Sequence, residues 1–111
     1  MRVHTFACGP FQTNTYVVED ESSRAVLVID PTIESDAVLD DIASRQLHVA
    51  VIINTHGHID HVFADAVFKR QTGAPLALHS ADAPMLSHLT QQARLFGLPA
   101  PEQPAADRLL S

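Results

Sequence analysis

Three histidines and one aspartate, His56, His58, Asp60 and His61, fall within six residues in the stretch IINTHGHIDHV, Ile52 to Val62. Imidazole nitrogen and carboxylate oxygen are ordinary ligands of zinc, and iron and manganese accept the same pair. In an extended segment, residues i and i+2 project to the same side, about 7 Å apart along the backbone. His56 and His58 have that spacing, and Gly57 between them has no side chain to obstruct convergence on one ion. Asp60 and His61 follow where the chain is expected to turn into a helix, so they point elsewhere and can serve a second ion beside the first. Asp60 can also accept a proton from a metal-bound water. One isolated histidine would carry no such implication. Ligand type and spacing together point to a metal centre.

The elements that must hold this cluster are legible around it. RVHTFAC alternates and reads as a first strand, GPFQTN as a turn, and TYVVE as a second strand. RAVLVID is a third strand, closed by Pro31. Ala25 to Ile29 and Val49 to Ile53 are apolar without alternation, the pattern of strands buried on both faces. Between them, ESDAVLDDIASRQ places Val38, Leu39, Ile42 and Ala43 at helical spacing. Ser35 or Thr32 is the expected cap, with Asp36 favoured by the N-terminal dipole. After the cluster, DAVFKRQTG predicts a helix ending near Gly73, with Ala64, Val67 and Phe68 inward. APLALH is a short strand, followed by a helix from about Asp82 to Leu95. Pro99, Pro101 and Pro104 make 97–107 a Pro-rich loop. Strands alternating with helices define an α/β (α+β) layer, in which ligands bind at loops leaving the carboxyl ends of strands. The cluster follows VAVIIN, at such an end. His79 falls at a strand end too and is a candidate for the same edge, although a capping or structural role also suits it. His4 and His48 are expected to face solvent, and His88 to sit among polar residues on a helix.

Composition bounds the partners. A length of 111 residues allows one domain, and 46% hydrophobic with 18% charged residues is a globular balance. The net charge of -6, with Lys69 and Arg70 as the only adjacent basic pair, argues against nucleic acid. A single cysteine, Cys8, excludes an internal disulfide framework and reads as a small buried hydrophobe in a reducing compartment. No window has the apolar length to cross a bilayer, and no signal segment is apparent. The expectation is a cytoplasmic protein with a small-molecule substrate, and neither nucleic acid nor membrane as partner.

THGHIDH resembles the His-x-His-x-Asp-His motif of the metallo-β-lactamase-fold hydrolases, and its surroundings resemble their glyoxalase II (hydroxyacylglutathione hydrolase) branch. GPFQTNTYVV is similar to the N-terminal strands of that branch, VLVIDPT to its strand ending in Asp-Pro, and TGAPLALHSADAPML to the segment after the first metal-loop helix. The resemblance runs from about residue 3 to the C-terminus. It implies that His56 and His58 bind a first zinc and Asp60 and His61 a second, with Asp60 assisting the water. It implies that Asp30 supports the site from below, and it gives Asn14 and Tyr16 structural rather than catalytic roles. Thr32, Phe63 and Ala64 stand where the family commonly has glycine.

The fold implied is the first αβ layer of an αβ/βα sandwich: a mixed sheet with helices on one face. In that family a third histidine for the first zinc, a bridging aspartate and a last histidine come from a second half, so about two ligands per ion are expected here. A bare inner sheet face and self-association, or a complementing second half, are expected with it. The activity implied is hydrolysis of a thioester of the acyl-glutathione type by metal-activated water. The alternative is a catalytically incomplete module that binds metal weakly or serves assembly. A structural zinc is disfavoured, because such sites usually recruit cysteine and Cys8 is alone.

Overall fold

The apolar runs resolve into one six-stranded mixed sheet in a computed structural model that describes residues 1–110. The strands are β1 (Arg2–Cys8), β2 (Thr13–Asp20), β3 (Ala25–Ile29), β4 (His48–Asn54), β5 (Leu76–His79) and β6 (Arg108–Leu110), and their order in the sheet is their order in the chain. The two hairpin-like connections make β1–β2 and β2–β3 antiparallel, whereas β3 to β6 run parallel. The parallel crossovers carry α1 (Asp36–Ser44), α2 (Ile59–Val62) and α3 (Asp65–Thr72), and then a 3-10 turn (Ala83–His88) and α4 (Leu89–Phe96). No helix among the described residues is long and apolar enough to cross a membrane.

The main core lies between one sheet face and helices α1 and α3. Val17, Val26, Val28, Ile52 and Leu76 meet Val38 and Ile42 of α1 and Phe68 of α3. The alternate strand residues face the other way: Val18, Leu27 and Val51 are cross-strand neighbours, and all three are only half-buried. Strands that read as buried on both faces are therefore covered by helices on one. A second, smaller core joins Ile59 and Val62 of α2 to Leu89 and Ala93 of α4, beside the histidine cluster.

Several local expectations are corrected. Ser35 takes the N-cap position of α1, but its Oγ donates to the Thr32 carbonyl at 2.7 Å and makes no cap bond to the helix. The chain breaks between α2 and α3, which resets the helical phase. Asp65, Ala66 and Phe68 consequently turn inward, while Val67 is 36% exposed. Gly73 does close α3, in the left-handed conformation at φ 72°. The single helix expected from Asp82 divides into the 3-10 turn and α4. His4 is half-buried, with Nε2 3.1 Å from Oε1 of buried Glu19, to which Arg45 Nη1 also donates at 2.7 Å. Strand β6 was not legible, because three residues carry no periodicity. Its pairing beside β5 is prepared by Asp107, whose carboxylate accepts the Leu76 N–H at 2.8 Å.

Candidate metal centre

The site is built where β3 and β4 end. Asp30 leaves β3 at φ 57°, a left-handed conformation that a residue with a Cβ adopts rarely and that Asp and Asn tolerate best. Two bonds hold it there: its N–H donates to the Ile53 carbonyl at 2.9 Å, and its carbonyl accepts Thr15 Oγ1 at 2.7 Å. Asp30 is 2% exposed, and its carboxylate faces the loop after β4. Oδ1 accepts the Thr55 N–H at 2.7 Å, and Oδ2 accepts Thr55 Oγ1 at 2.5 Å and lies 2.9 Å from His61 Nδ1. A carboxylate can only accept, so the imidazole proton belongs on Nδ1 and the lone pair on Nε2. Asp30 thereby fixes both the ring and the tautomer of His61.

Asp60 is fixed from another strand. Thr13 Oγ1, at the start of β2, donates to Asp60 Oδ2 at 2.9 Å. The same Oδ2 is 3.5 Å from His61 Nε2. Two lone pairs face each other across that gap, an arrangement that a cation relieves. The rings of His56 and His61 have centroids 4.5 Å apart, and those of His56 and His58 5.6 Å. His61 thus approaches His56 more closely than its neighbour in the i, i+2 pair does. Three imidazoles and a carboxylate at one sheet edge fit a divalent metal ion in donor type. Among the described residues, however, no group of three or more His, Cys, Asp or Glu side chains is gathered closely enough to hold an ion as it stands.

A cavity of about 400 Å³ opens over His56, Asp60 and His61, and β2 contributes Thr13, Asn14 and Tyr16 to its wall. His79 does not line it; its exposed ring accepts the Ala81 N–H at Nδ1 (3.0 Å) and caps the turn after β5. His48 and His88 are exposed and lie outside the cavity as well.

Residues that the pattern did not single out hold the histidine turn from behind. Gln92 of α4 accepts the Ile59 N–H, between His58 and Asp60, at 2.8 Å. Asn54 Nδ2 donates to the His61 carbonyl at 3.3 Å and to Asp65 Oδ1 at 2.9 Å. Gln103 Nε2, from the Pro-rich segment, donates to Asp65 Oδ2 at 3.1 Å. Burial pushes the Asp65 carboxyl up to about 7, with the Asp30 charge adding to the rise, while the two amide bonds oppose it. The available signal was an aspartate on the inward face of a helix. Amide and hydroxyl partners from distant strands gave none.

Gly57 is required by space. A Cβ there would meet the Asp82 carbonyl oxygen at 2.7 Å and Met85 Cβ at 2.8 Å, neither of which is the free end of a side chain. Gly57→Ala is expected to push the histidine loop away from the 3-10 turn and cost roughly 1–3 kcal/mol of stability. Thermal unfolding monitored by circular dichroism checks this; an unchanged midpoint would refute the close packing.

Comparison with known proteins places the fold in a family. The sequence profile of the Metallo-beta-lactamase superfamily matches residues 8–109. Hydroxyacylglutathione hydrolase GloC of Haemophilus influenzae is 31% identical over 100 residues, which are 89% of this chain and 47% of that protein. Among solved structures, BLEG-1 B3 metallo-beta-lactamase superposes with a TM-score of 0.88 at 28% identity, covering 99% of this chain and 53% of that one. TTHA1623, solved in a di-iron-bound form, gives 0.82 at 33% identity, covering 98% and 54%. The chain thus spans about half the length of these relatives. The matched span contains the whole histidine cluster, Asp30 and the strands that present them, and the chain belongs to the metallo-beta-lactamase superfamily.

Proposed function

We propose that this chain carries the first set of metal ligands of a metal-dependent hydrolase acting on a thioester of the acyl-glutathione type. His56 and His58 would hold one ion and Asp60 and His61 a second, with zinc the first choice and iron or manganese compatible with the same donors. One observation carries this reading: the Asp30 carboxylate fixes His61 with its Nε2 lone pair toward Asp60 Oδ2, 3.5 Å away. A bound ion supplies Lewis-acid polarisation and a water of lowered pKa. The chain's own groups do the rest. Asp30 orients His61; Thr13 leaves Asp60 an oxygen free to receive a proton; and the cavity beside them admits the scissile group. Likeness to GloC supports a hydroxyacyl-glutathione thioester, and a β-lactam is the rival substrate that the name of BLEG-1 suggests. The single cysteine suits a reducing compartment, the cytoplasm.

A second reading, a module that binds metal loosely and serves assembly, is favoured by two observations. No three donors are gathered into an ion-holding group among the described residues, and the row Val18, Leu27, Val51 is only half covered. Self-association or a complementing chain would cover that row. Metal content per chain after exhaustive dialysis separates the readings, with His58→Ala as control. Close to two ions per chain, lost in the control, supports the hydrolase, and release of thiol from S-lactoylglutathione is then the assay. Near zero favours the module.

A further inference from the structure

Alternation along β2 divides the strand between two tasks. Thr13 and Thr15 are buried on one side, where Thr13 Oγ1 donates to Asp60 and Thr15 Oγ1 to the Asp30 carbonyl. Asn14 and Tyr16 project to the other side and, together with Thr13 at the strand's start, line the cavity over His56, Asp60 and His61. One strand therefore braces the carboxylates and walls the cavity that they face.

The wall is polar and oriented. Asn14 Nδ2 donates to Tyr16 Oη at 3.3 Å. A phenol has one proton to give and lone pairs to receive, so this bond uses the oxygen as an acceptor and leaves the O–H to point elsewhere. No protein acceptor takes that proton among the described residues. Tyr16 is half-buried, with Thr5 and Ile29 as its cross-strand partners. A half-buried body with a polar tip at the edge of a cavity is how tyrosine commonly meets a ligand.

We propose that Tyr16, oriented by Asn14, is a substrate-contacting residue that donates a hydrogen bond to a carbonyl or carboxylate oxygen of the molecule occupying this cavity. The proposal rests on the hydrolase reading above and adds to it a group that belongs to neither the metal ligands nor their supports. Removing the hydroxyl takes away one directed donor and leaves every ligand in place.

The test uses Tyr16→Phe and Asn14→Ala in the full chain, with S-lactoylglutathione as probe. Tyr16→Phe is expected to lower kcat/KM by roughly 10–100-fold, as the loss of one hydrogen bond to a charged or charge-developing oxygen does. Asn14→Ala should show a smaller loss, and metal content and thermal midpoint should match the unaltered chain in both. Unchanged kcat and KM in Tyr16→Phe overturns the proposal while leaving the hydrolase reading intact. Tyr16 is the only tyrosine in a chain without tryptophan, so intrinsic emission reports this one ring. If the unaltered chain does not cleave the thioester, thioester hydrolysis falls, and the emission decides the proposal separately. A change in Tyr16 emission on titrating the thioester supports contact, and constant emission overturns it.

Discussion

Asp30→Asn is expected to lower metal affinity 10–100-fold while leaving the fold in place, because the carboxylate acts on the metal centre through His61. The substitution conserves volume and keeps an oxygen for the Thr55 N–H, now 2.7 Å from Oδ1, while the Thr55 hydroxyl, now 2.5 Å from Oδ2, can turn to accept from the amide instead. It also sets an amide N–H₂ against His61 Nδ1, which sits 2.9 Å from Oδ2. Two donors cannot share that contact, so the imidazole must surrender its Nδ1 proton, rotate or separate. Each outcome takes the Nε2 lone pair from its place opposite Asp60. Asp30→Ala goes further: it leaves the Thr55 groups and His61 Nδ1 without their buried acceptor, and a stability loss of roughly 2–4 kcal/mol is expected with the loss of metal. Zinc titration followed by calorimetry, with urea unfolding on the metal-free proteins, separates the two effects. Full metal affinity in Asp30→Asn would show that His61 does not depend on this partner.

Asp65→Asn should remove a pH dependence of stability instead. The folded chain holds the Asp65 proton up to about pH 7, whereas the unfolded chain releases it near the ordinary value of 3.8. Between those limits the unfolded state binds fewer protons, so stability falls as pH rises through the window from about 4 to about 7. A shift of that size corresponds to about 4 kcal/mol in all, present in full below the window and lost above it. The neighbourhood explains the direction. Among the described residues no ion pair reaches Asp65; its oxygens are met by Asn54 and Gln103 amides, and Asp30 is the nearby charge. Both amides leave their own oxygens, Asn54 Oδ1 and Gln103 Oε1, buried and unpartnered. An asparagine at 65 carries no charge and offers N–H groups that those oxygens can receive once an amide turns over. The variant should therefore be more stable than the parent at pH 8 and little different at pH 4. Urea midpoints at the two pH values check this, and a parent whose stability is flat from pH 4 to 8 would falsify it.

The sequence revealed the fold class and the cluster for the same reason: both are local patterns. Apolar runs of strand length, separated by helical spacing, require an α/β layer, and a ligand-rich turn after VAVIIN must lie at a strand end. Gly73 closed α3 as its position implied. Where the reading failed, the cause was the surroundings of a residue rather than its type. Val67 turned outward because the chain breaks before Asp65, and His4 was drawn half into the interior by Glu19, fifteen residues away. Strand β6 is too short to have a period and exists because β5 offers it an edge. Asn14 and Tyr16 read as framework, and only the position of their strand beside the ligand turn set them on the cavity wall.

By itself, then, the sequence determined which donors are present, how they are spaced, and which strand delivers them. Tertiary structure alone decided which nitrogen of His61 keeps its lone pair, what braces Asp60, and which side chains face the cavity. The physical reason is the separation of the partners along the chain. Asp30 and His61 stand 31 residues apart, and Thr13 and Asp60 stand 47 apart. No periodicity spans such distances, so these contacts come into being only when the sheet brings the ends of β2, β3 and β4 to one edge.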